Sequence, residues 1–150
     1  MRCSIFTVIA FLFVFSWAYA DSGLVSVKSA HSVKTTADRL ESLLKSKGMR
    51  VFNRIDHAGG ANTVNKTLRP TELIIFGNPK IGTVLMQCKQ SIGIDLPQKA
   101  LVWEDSTGQV WLSYNNPKYV ADRHQIKKCA DVLKKIKNAL GNFAKAATSP

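Results

Sequence analysis

The stretch that decides the fold is TELIIFGNPKIGT, residues 71–83, in which a strand runs directly into a helix. Residues 71–77 are almost continuously apolar and predict a buried strand. Asn78-Pro79 then predicts a helix start, because an Asn side chain caps the first N–H groups and proline fits the first helical position. The apolar positions that follow recur at helical spacing: Ile81, Val84, Leu85 and Cys88.

The flanking sequence predicts four more strands and three more helices. The strands are expected at 23–28, 49–55, 99–104 and 109–114, the last two joined by a hairpin turn at 105–108. A helix with a Thr35/Asp38 capping box is expected to end at Gly48, a short helix to run from Asn116-Pro117 to His124, and a long helix to span about 126–144. Residues 57–70, with room for one short helical turn, and residues 91–97 are predicted loops.

The order of these elements predicts the fold class. Two strand-helix-strand steps followed by a hairpin and a long helix favour an α+β domain, with helices packed on one face of an antiparallel or mixed sheet. A doubly wound parallel sheet would need strands and helices to alternate along more of the chain. Residues 21–150 are long enough for one domain, with an expected core over 23–144, and contain no internal repeat.

The N-terminal twenty residues have the pattern of a secretory signal peptide. Arg2 precedes the apolar run 5–15, and Ala18-Tyr19-Ala20 offers small residues at the positions that a signal peptidase reads. Cleavage would start the mature chain at Asp21, without a stable membrane anchor, in the periplasm or outside the cell. The alternative is an uncleaved anchor, since Trp17 and Tyr19 lengthen the apolar span.

Charge and cysteine content narrow the classes of partner. The chain carries 21 basic and 10 acidic residues, and loss of Arg2 would leave 20 against 10. This balance favours contact with anions, although it also fits simple solubility. Cys88 and Cys129 would remain after cleavage, either as a disulfide in an oxidising compartment or as two small core residues. No C-x-x-C motif indicates a metal or redox site.

Four segments together resemble a known family. They are 51–61 (VFNRIDHAGGA), 71–83, 95–117 (DLPQKALVWEDSTGQVWLSYNNP) and 121–124 (ADRH). In this order they are similar to the domain-of-unknown-function 302 family. The resemblance implies a curved antiparallel sheet with a long C-terminal helix, of the TATA-binding-protein-like type, and a homodimer. It implies no established activity, cofactor or catalytic residue, and the two cysteines lie outside the family pattern.

The first candidate site is the start of the helix after Gly77. Free N–H groups and the positive end of the helix dipole can hold a phosphate or carboxylate, and we expect Asn78, Lys80, Gly82 and Thr83 to contribute. The stretch is not a P-loop, because the G-x-x-x-x-G-K-[ST] pattern is absent. The alternative is a well-capped helix start with a structural glycine.

The second candidate site consists of histidines beside carboxylates. Asp56-His57, Glu104-Asp105 and Arg123-His124 all fall at the ends of predicted elements, where an imidazole and a carboxylate could act as general acid and base. The catalytic candidates are His57, Glu104, Asp105 and His124. The alternative is structural, with Asp56 capping a loop, Glu104-Asp105 starting a turn and His124 ending a helix. No metal-ligand spacing is present.

Three functional hypotheses follow. The first is a non-enzymatic binding protein for a small anionic ligand held near 78–83. The second is a hydrolase or lyase that uses the His/carboxylate residues. The third is a polyanion-binding or anionic-surface-binding protein that uses lysines of the last helix, Lys127, Lys128, Lys134, Lys135 and Lys137. Nucleic acid is not expected as a partner, because aromatic residues are not interleaved with these lysines.

Overall fold

A computed structural model describes residues 22–150 as an α+β domain. Its strands are β1 (Leu24–Lys28), β2 (Arg50–Asp56), β3 (Thr71–Gly77), β4 (Gln98–Glu104) and β5 (Val110–Asn115). Its helices are α1 (Val33–Ser46), α2 (His57–Asn62), α3 (Pro79–Cys88), α4 (Pro117–Arg123) and α5 (Ala130–Thr148), with a 3-10 helix at Gln90–Asp95. The predicted signal peptide and its cleavage site lie outside the described residues.

The five strands form one antiparallel sheet in the order β1-β5-β4-β3-β2. Strands β2 to β5 follow one another as a meander, and β1 adds to the free edge of β5. This sheet with helices on one face confirms the predicted α+β class. The prediction of β3 at 71–77 is also confirmed, because its near-continuous apolar run marks a strand between two others.

The core lies between one face of the sheet and helices α1 and α5. Ile74 and Phe76 of β3 are almost completely buried there, and so are Leu40 and Leu44 of α1. Both helices contact the sheet and each other. Removal of this apolar surface from water contributes about 25 cal/mol per Å² and is the main stabilising term of the fold.

The opposite face of the sheet carries a row of half-buried apolar side chains. Leu73 pairs with Leu101, and Trp103 pairs with Trp111 across the β4–β5 hairpin. Trp103 donates its indole N–H to Ser113 Oγ at 3.0 Å, and Ser113 in turn contacts Ser26. The structure is that of a single chain, so the homodimer that the resemblance implies stays a prediction.

Helix α1 begins earlier than predicted. Ser32, and not Thr35, is the N-cap, and its Oγ accepts the N–H of Thr35 at 3.2 Å. The predicted Thr35/Asp38 capping box is therefore wrong, because Asp38 bonds to Lys34 and Arg54 instead.

The last helix is displaced by four residues from the prediction. It spans Ala130–Thr148 and not 126–144, because Cys129 has a left-handed backbone (φ 69°) that separates Ile126 from the helix. Its end extends further because Ala144, Ala146 and Ala147 favour a helix. A helix over 126–144 would have carried Cys129 on its apolar face. Cys129 instead precedes the observed helix.

Two predicted loops contain short helices. In 57–70, Asp56 caps α2 by accepting the N–H of Gly59 at 2.8 Å. The segment 91–97 includes most of the 3-10 helix and ends at a cis peptide bond before Pro97. Neither segment has enough apolar periodicity to be recognised from sequence.

Candidate functional site: an apolar cavity beside helix α3

A cavity of about 430 Å³ opens between the end of β3, helix α3 and helix α5. This volume is within the range of small-molecule sites, roughly 300–1,000 Å³. Most of its lining is apolar. The apolar side chains are Met49, Phe52, Phe76, Pro79, Ile81, Leu85, Met86, Leu96, Pro97, Ile136, Ala139, Leu140 and Phe143.

The strand-to-helix stretch that decides the fold also forms one wall of this cavity. Phe76 and Gly77 end β3, and Asn78 turns the chain into α3. Phe52 and Pro97 lie next to Gly77, where a Cβ atom would be in ordinary contact with both at 3.5 Å. Phe52 lies at an irregularity in the β2–β3 pairing, where the register shifts between Val51 and Asn53.

The facing wall comes from α5. Ile136, Ala139, Leu140 and Phe143 follow the 3.6-residue period of a helix, so one face of α5 lines the cavity. The sequence predicted this apolar face as core. The structure shows that part of it borders open space.

The cavity mouth combines exposed apolar side chains with one cation. Phe52, Ile81 and Met86 are 44%, 38% and 37% exposed. Lys135 is the charged residue of the lining, and it forms no ion pair with any residue from 22 to 150. Asn78, Thr83 and Gln98 add polar groups. An apolar ligand with one negatively charged end would match this lining.

Three of the four predicted anion-site residues line the cavity, namely Asn78, Gly82 and Thr83, whereas Lys80 does not. The first turn of α3 has its donors already occupied. The N–H of Lys80 is donated to Asn78 Oδ1 at 3.0 Å, and the N–H groups of Ile81 and Gly82 are donated to the Asn78 carbonyl. Pro79 has no N–H. The backbone N–H groups at this helix start are therefore already hydrogen-bonded to Asn78. Anion binding there stays a prediction.

No hydrogen bond joins any two of the predicted catalytic residues in the described part of the chain. Asp105 closes the hairpin turn, where Oδ1 accepts from the N–H of Thr107 at 2.8 Å and Oδ2 accepts from the Trp111 indole at 2.7 Å. The Thr107 hydroxyl and the other donors hold the pKa of Asp105 well below its usual range. No side-chain hydrogen bond within residues 22–150 joins His57 to Glu104 or Asp105.

His124 ends helix α4, as the structural alternative expects, and contacts Asp95 and Ser91. Its Nε2 lies 2.7 Å from Asp95 Oδ2, and its Nδ1 lies 3.0 Å from Ser91 Oγ. The ring is 8% exposed, and Arg123 donates to the other oxygen of Asp95 at 3.2 Å. Sequence reasoning missed Ser91 and Asp95 because they lie about thirty residues from His124 in a segment predicted as a loop.

The two cysteines are adjacent in the structure. Cys88 ends α3 and Cys129 precedes α5, and the two form a disulfide with Cα atoms 6.7 Å apart. Both helices line the cavity, so the bridge ties its two walls together. Oxidation of this pair in the protein stays a prediction.

The lysines of the last helix remain exposed. Lys134, Lys135 and Lys137 lie on α5, and Lys127 and Lys128 precede it. Polyanion binding through these side chains stays a prediction. Within residues 22–150, no group of three or more His, Cys, Asp or Glu side chains is arranged to hold a metal ion.

The sheet and helices define a known class of small α+β domain. The fold is similar to a crystal structure of an uncharacterized conserved protein DUF302 from Bacillus stearothermophilus, with a TM-score of 0.76 at 16% identity. That similarity covers 85% of this chain and 99% of the other. The family "Domain of unknown function DUF302" matches residues 25–143. The chain therefore belongs to this family, as the four sequence segments indicated.

Curated relatives are longer proteins. The chain is 52% identical over 128 residues to a Brucella suis protein named "Fluoride-specific ion channel FluC 1", a match that covers 85% of this chain and 50% of that protein. A Brucella abortus protein named "Fluoride-specific ion channel FluC 1" and a Brucella melitensis protein named "Fluoride-specific ion channel FluC 2" are each 52% identical to the chain over 128 residues, which is 47% of their length. The chain spans about half the length of these relatives. Across residues 22–150, no helix is both long and apolar enough for a membrane span.

Proposed function

We propose that this protein is exported and that its cavity is a non-catalytic binding site for a small apolar molecule with one anionic group. The single observation that carries this proposal is the cavity, whose apolar walls meet a polar mouth with Lys135. The sequence suggested a small anion at the start of α3. The cavity supports an amphipathic anion instead, because the backbone donors there already bond to Asn78.

Energetics assign different roles to the two ends of such a ligand. Each methylene buried in the cavity contributes about 0.8 kcal/mol, or roughly fourfold in affinity. A contact between an anionic group and the exposed Lys135 contributes less, about 0–1 kcal/mol, because solvent screens it. The apolar part therefore supplies affinity, and the charge selects among ligands of equal length.

Two matched ligand series test both roles. The C8, C10 and C12 straight-chain carboxylates and the corresponding alcohols are titrated against the protein by calorimetry, below their micelle concentrations. We expect affinity to rise by roughly fourfold per methylene until the cavity is full. We also expect each carboxylate to bind two- to fivefold more tightly than its alcohol, on the order of a surface ion pair.

Variants on α5 locate the binding. Ala139→Phe should fill the cavity and abolish binding, whereas Ala146→Phe, on the same helix but outside the lining, should not. Lys135→Ala should remove the preference for carboxylates, and Lys134→Ala should retain it. Absence of binding in both series, or unchanged binding by Ala139→Phe, would contradict the proposal.

The names of the Brucella relatives make fluoride a further ligand to compare. A bare fluoride ion is strongly hydrated, and an apolar cavity offers little to replace that hydration. We therefore expect sodium fluoride to stabilise the protein no more than sodium chloride does in thermal unfolding at equal ionic strength. Selective stabilisation by fluoride, lost in Lys135→Ala, would instead support a fluoride site in this domain.

A further inference from the structure

Ser91, His124 and Asp95 are arranged as a nucleophile, a base and a carboxylate that orients the base. An ionised carboxylate can only accept hydrogen bonds, so the 2.7 Å contact to Asp95 places the ring proton of neutral His124 on Nε2. The lone pair then lies on Nδ1. Nδ1 accepts the hydroxyl proton of Ser91 across 3.0 Å, which is the geometry of serine activation.

The surroundings of the three residues fit these roles. His124 is 8% exposed, and the Asp95 side chain is 12% exposed, so their interaction is shielded from water. Ser91 is exposed and can meet a molecule from solution. Arg123 holds Oδ1 of Asp95 and leaves Oδ2 to the imidazole.

The backbone also fixes this arrangement. Ser91 lies in the 3-10 helix, and His124 is the C-cap of α4, which packs against that helix. The Cys88–Cys129 bridge joins the segment before Ser91 to the segment after His124. Such support on both sides keeps the serine and the imidazole at bonding distance.

From this geometry we propose that Ser91 is an acyl-accepting nucleophile, with His124 as its general base and Asp95 as a positioning residue. None of the three lines the apolar cavity, so this inference is independent of ligand binding there. Because Ser91 is on the surface, the substrate class is small, activated carboxylic esters that need no deep pocket.

The reaction balances with water as the second substrate. The Ser91 hydroxyl gives its proton to His124 Nδ1 while Oγ forms a bond to the acyl carbon, and the ester C–O bond breaks as the leaving alkoxide takes that proton. Water then gives a proton to Nδ1 as its oxygen attacks the acyl-serine. The acid is released, and Ser91 Oγ recovers the proton.

Covalent labelling tests the proposal without knowledge of the natural ester. Protein purified after expression of the full chain is treated with a fluorophosphonate, and the modified residue is identified by peptide mass spectrometry. Hydrolysis of p-nitrophenyl acetate is measured in parallel. We expect the label on Ser91, and loss of both label and hydrolysis in Ser91→Ala. Ser106→Ala, an exposed serine in the hairpin turn, should behave as the wild type.

Asp95→Asn separates positioning from simple structural support. We expect at least about a tenfold slower labelling of Ser91, measured well below the melting temperature of the variant, because the amide no longer fixes the proton on Nε2. Asp95→Glu should recover part of the rate. The proposal is overturned if the folded wild type takes no label at Ser91, if Ser91→Ala retains hydrolysis, or if Asp95→Asn is labelled at the wild-type rate.

Discussion

Arg54 is the residue that connects the sheet to helix α1 by charge. Its guanidinium lies on the helix-covered face and donates to Glu72, to Asp38 Oδ1 at 2.6 Å and to Glu41 Oε2 at 3.2 Å. Contacts with Glu72, and then with Asp38 and Glu41, raise the pKa of Arg54. Its side chain is 25% exposed, so these contacts are only partly screened by solvent.

We expect Arg54→Met to lower the free energy of unfolding by roughly 2 kcal/mol, between the values of surface and buried ion pairs. Lys34→Ala, which removes an exposed pair with Asp38, should cost less than about 0.5 kcal/mol. Urea unfolding at neutral pH measures both. Equal effects of the two substitutions would show that Arg54 is no more than a surface charge.

The same cluster predicts the dependence of stability on pH. Lys34 and Arg54 lower the pKa of Asp38 from its ordinary 3.8, and Lys45 and Arg54 lower that of Glu41 from 4.5. A carboxyl group whose pKa is lower in the folded state than in the unfolded state stabilises the protein at pH values above its ordinary pKa. This stability is lost as the pH falls through the pKa of the folded state. Acidification from about pH 5 to about pH 3 spans the ordinary pKa values of carboxyl groups. Over this interval Arg54→Met should therefore lose less stability than the wild type.

At the scale of elements, the disulfide connects two helices that line the cavity. It closes a loop with a sequence separation of 41 between the end of α3 and the start of α5. We expect the Cys88→Ser/Cys129→Ser variant to lose roughly 2–4 kcal/mol of stability, because the unfolded chain regains freedom. Binding of the C10 carboxylate should weaken as well, since two walls of the cavity are no longer joined.

Urea unfolding of the variant and of the wild type with and without dithiothreitol checks this expectation. Reduced wild type should match the variant, and the peptide mass of the untreated protein should show Cys88 linked to Cys129. Free thiols at both positions in the untreated protein would contradict the bridge.

The elements differ in how far sequence predicts them. Strand β3 and helix α3 follow from residues 71–88 alone, because a buried apolar run and an Asn-Pro start are local signals. The start of α5 depends on the left-handed Cys129 and on a bridge to α3, which are long-range constraints. A local pattern cannot reveal them.

The candidate sites show the same limit. The sequence predicts a site at Asn78, Gly82 and Thr83 because they surround one helix start, and the three residues line the cavity. The facing wall and the Ser91–His124–Asp95 contacts join segments far apart in the chain. Only the fold brings these segments together, so a local pattern could not pair His124 with Asp95 or Ser91.

At the scale of the whole molecule, the function depends on where the chain is delivered. An oxidised Cys88–Cys129 pair would suit a compartment outside the cytosol. We expect N-terminal sequencing of the protein from the exported fraction to begin at Asp21. Ala18→Arg/Ala20→Arg should block processing, and Ser22→Ala should leave it unchanged. A chain that retains Met1 in the cytosolic fraction would contradict export.

The cross-strand pairing of Trp103 with Trp111 has a practical consequence for every titration described above. Apart from these two, the chain has one other tryptophan, Trp17, which cleavage would remove. The tryptophan fluorescence of the mature protein would then arise entirely from the face of the sheet opposite the helices. A ligand in the cavity, on the helix side, would leave the tryptophan emission nearly unchanged. A partner on the opposite face of the sheet would shift it. One spectrum thus distinguishes the two surfaces without an added dye.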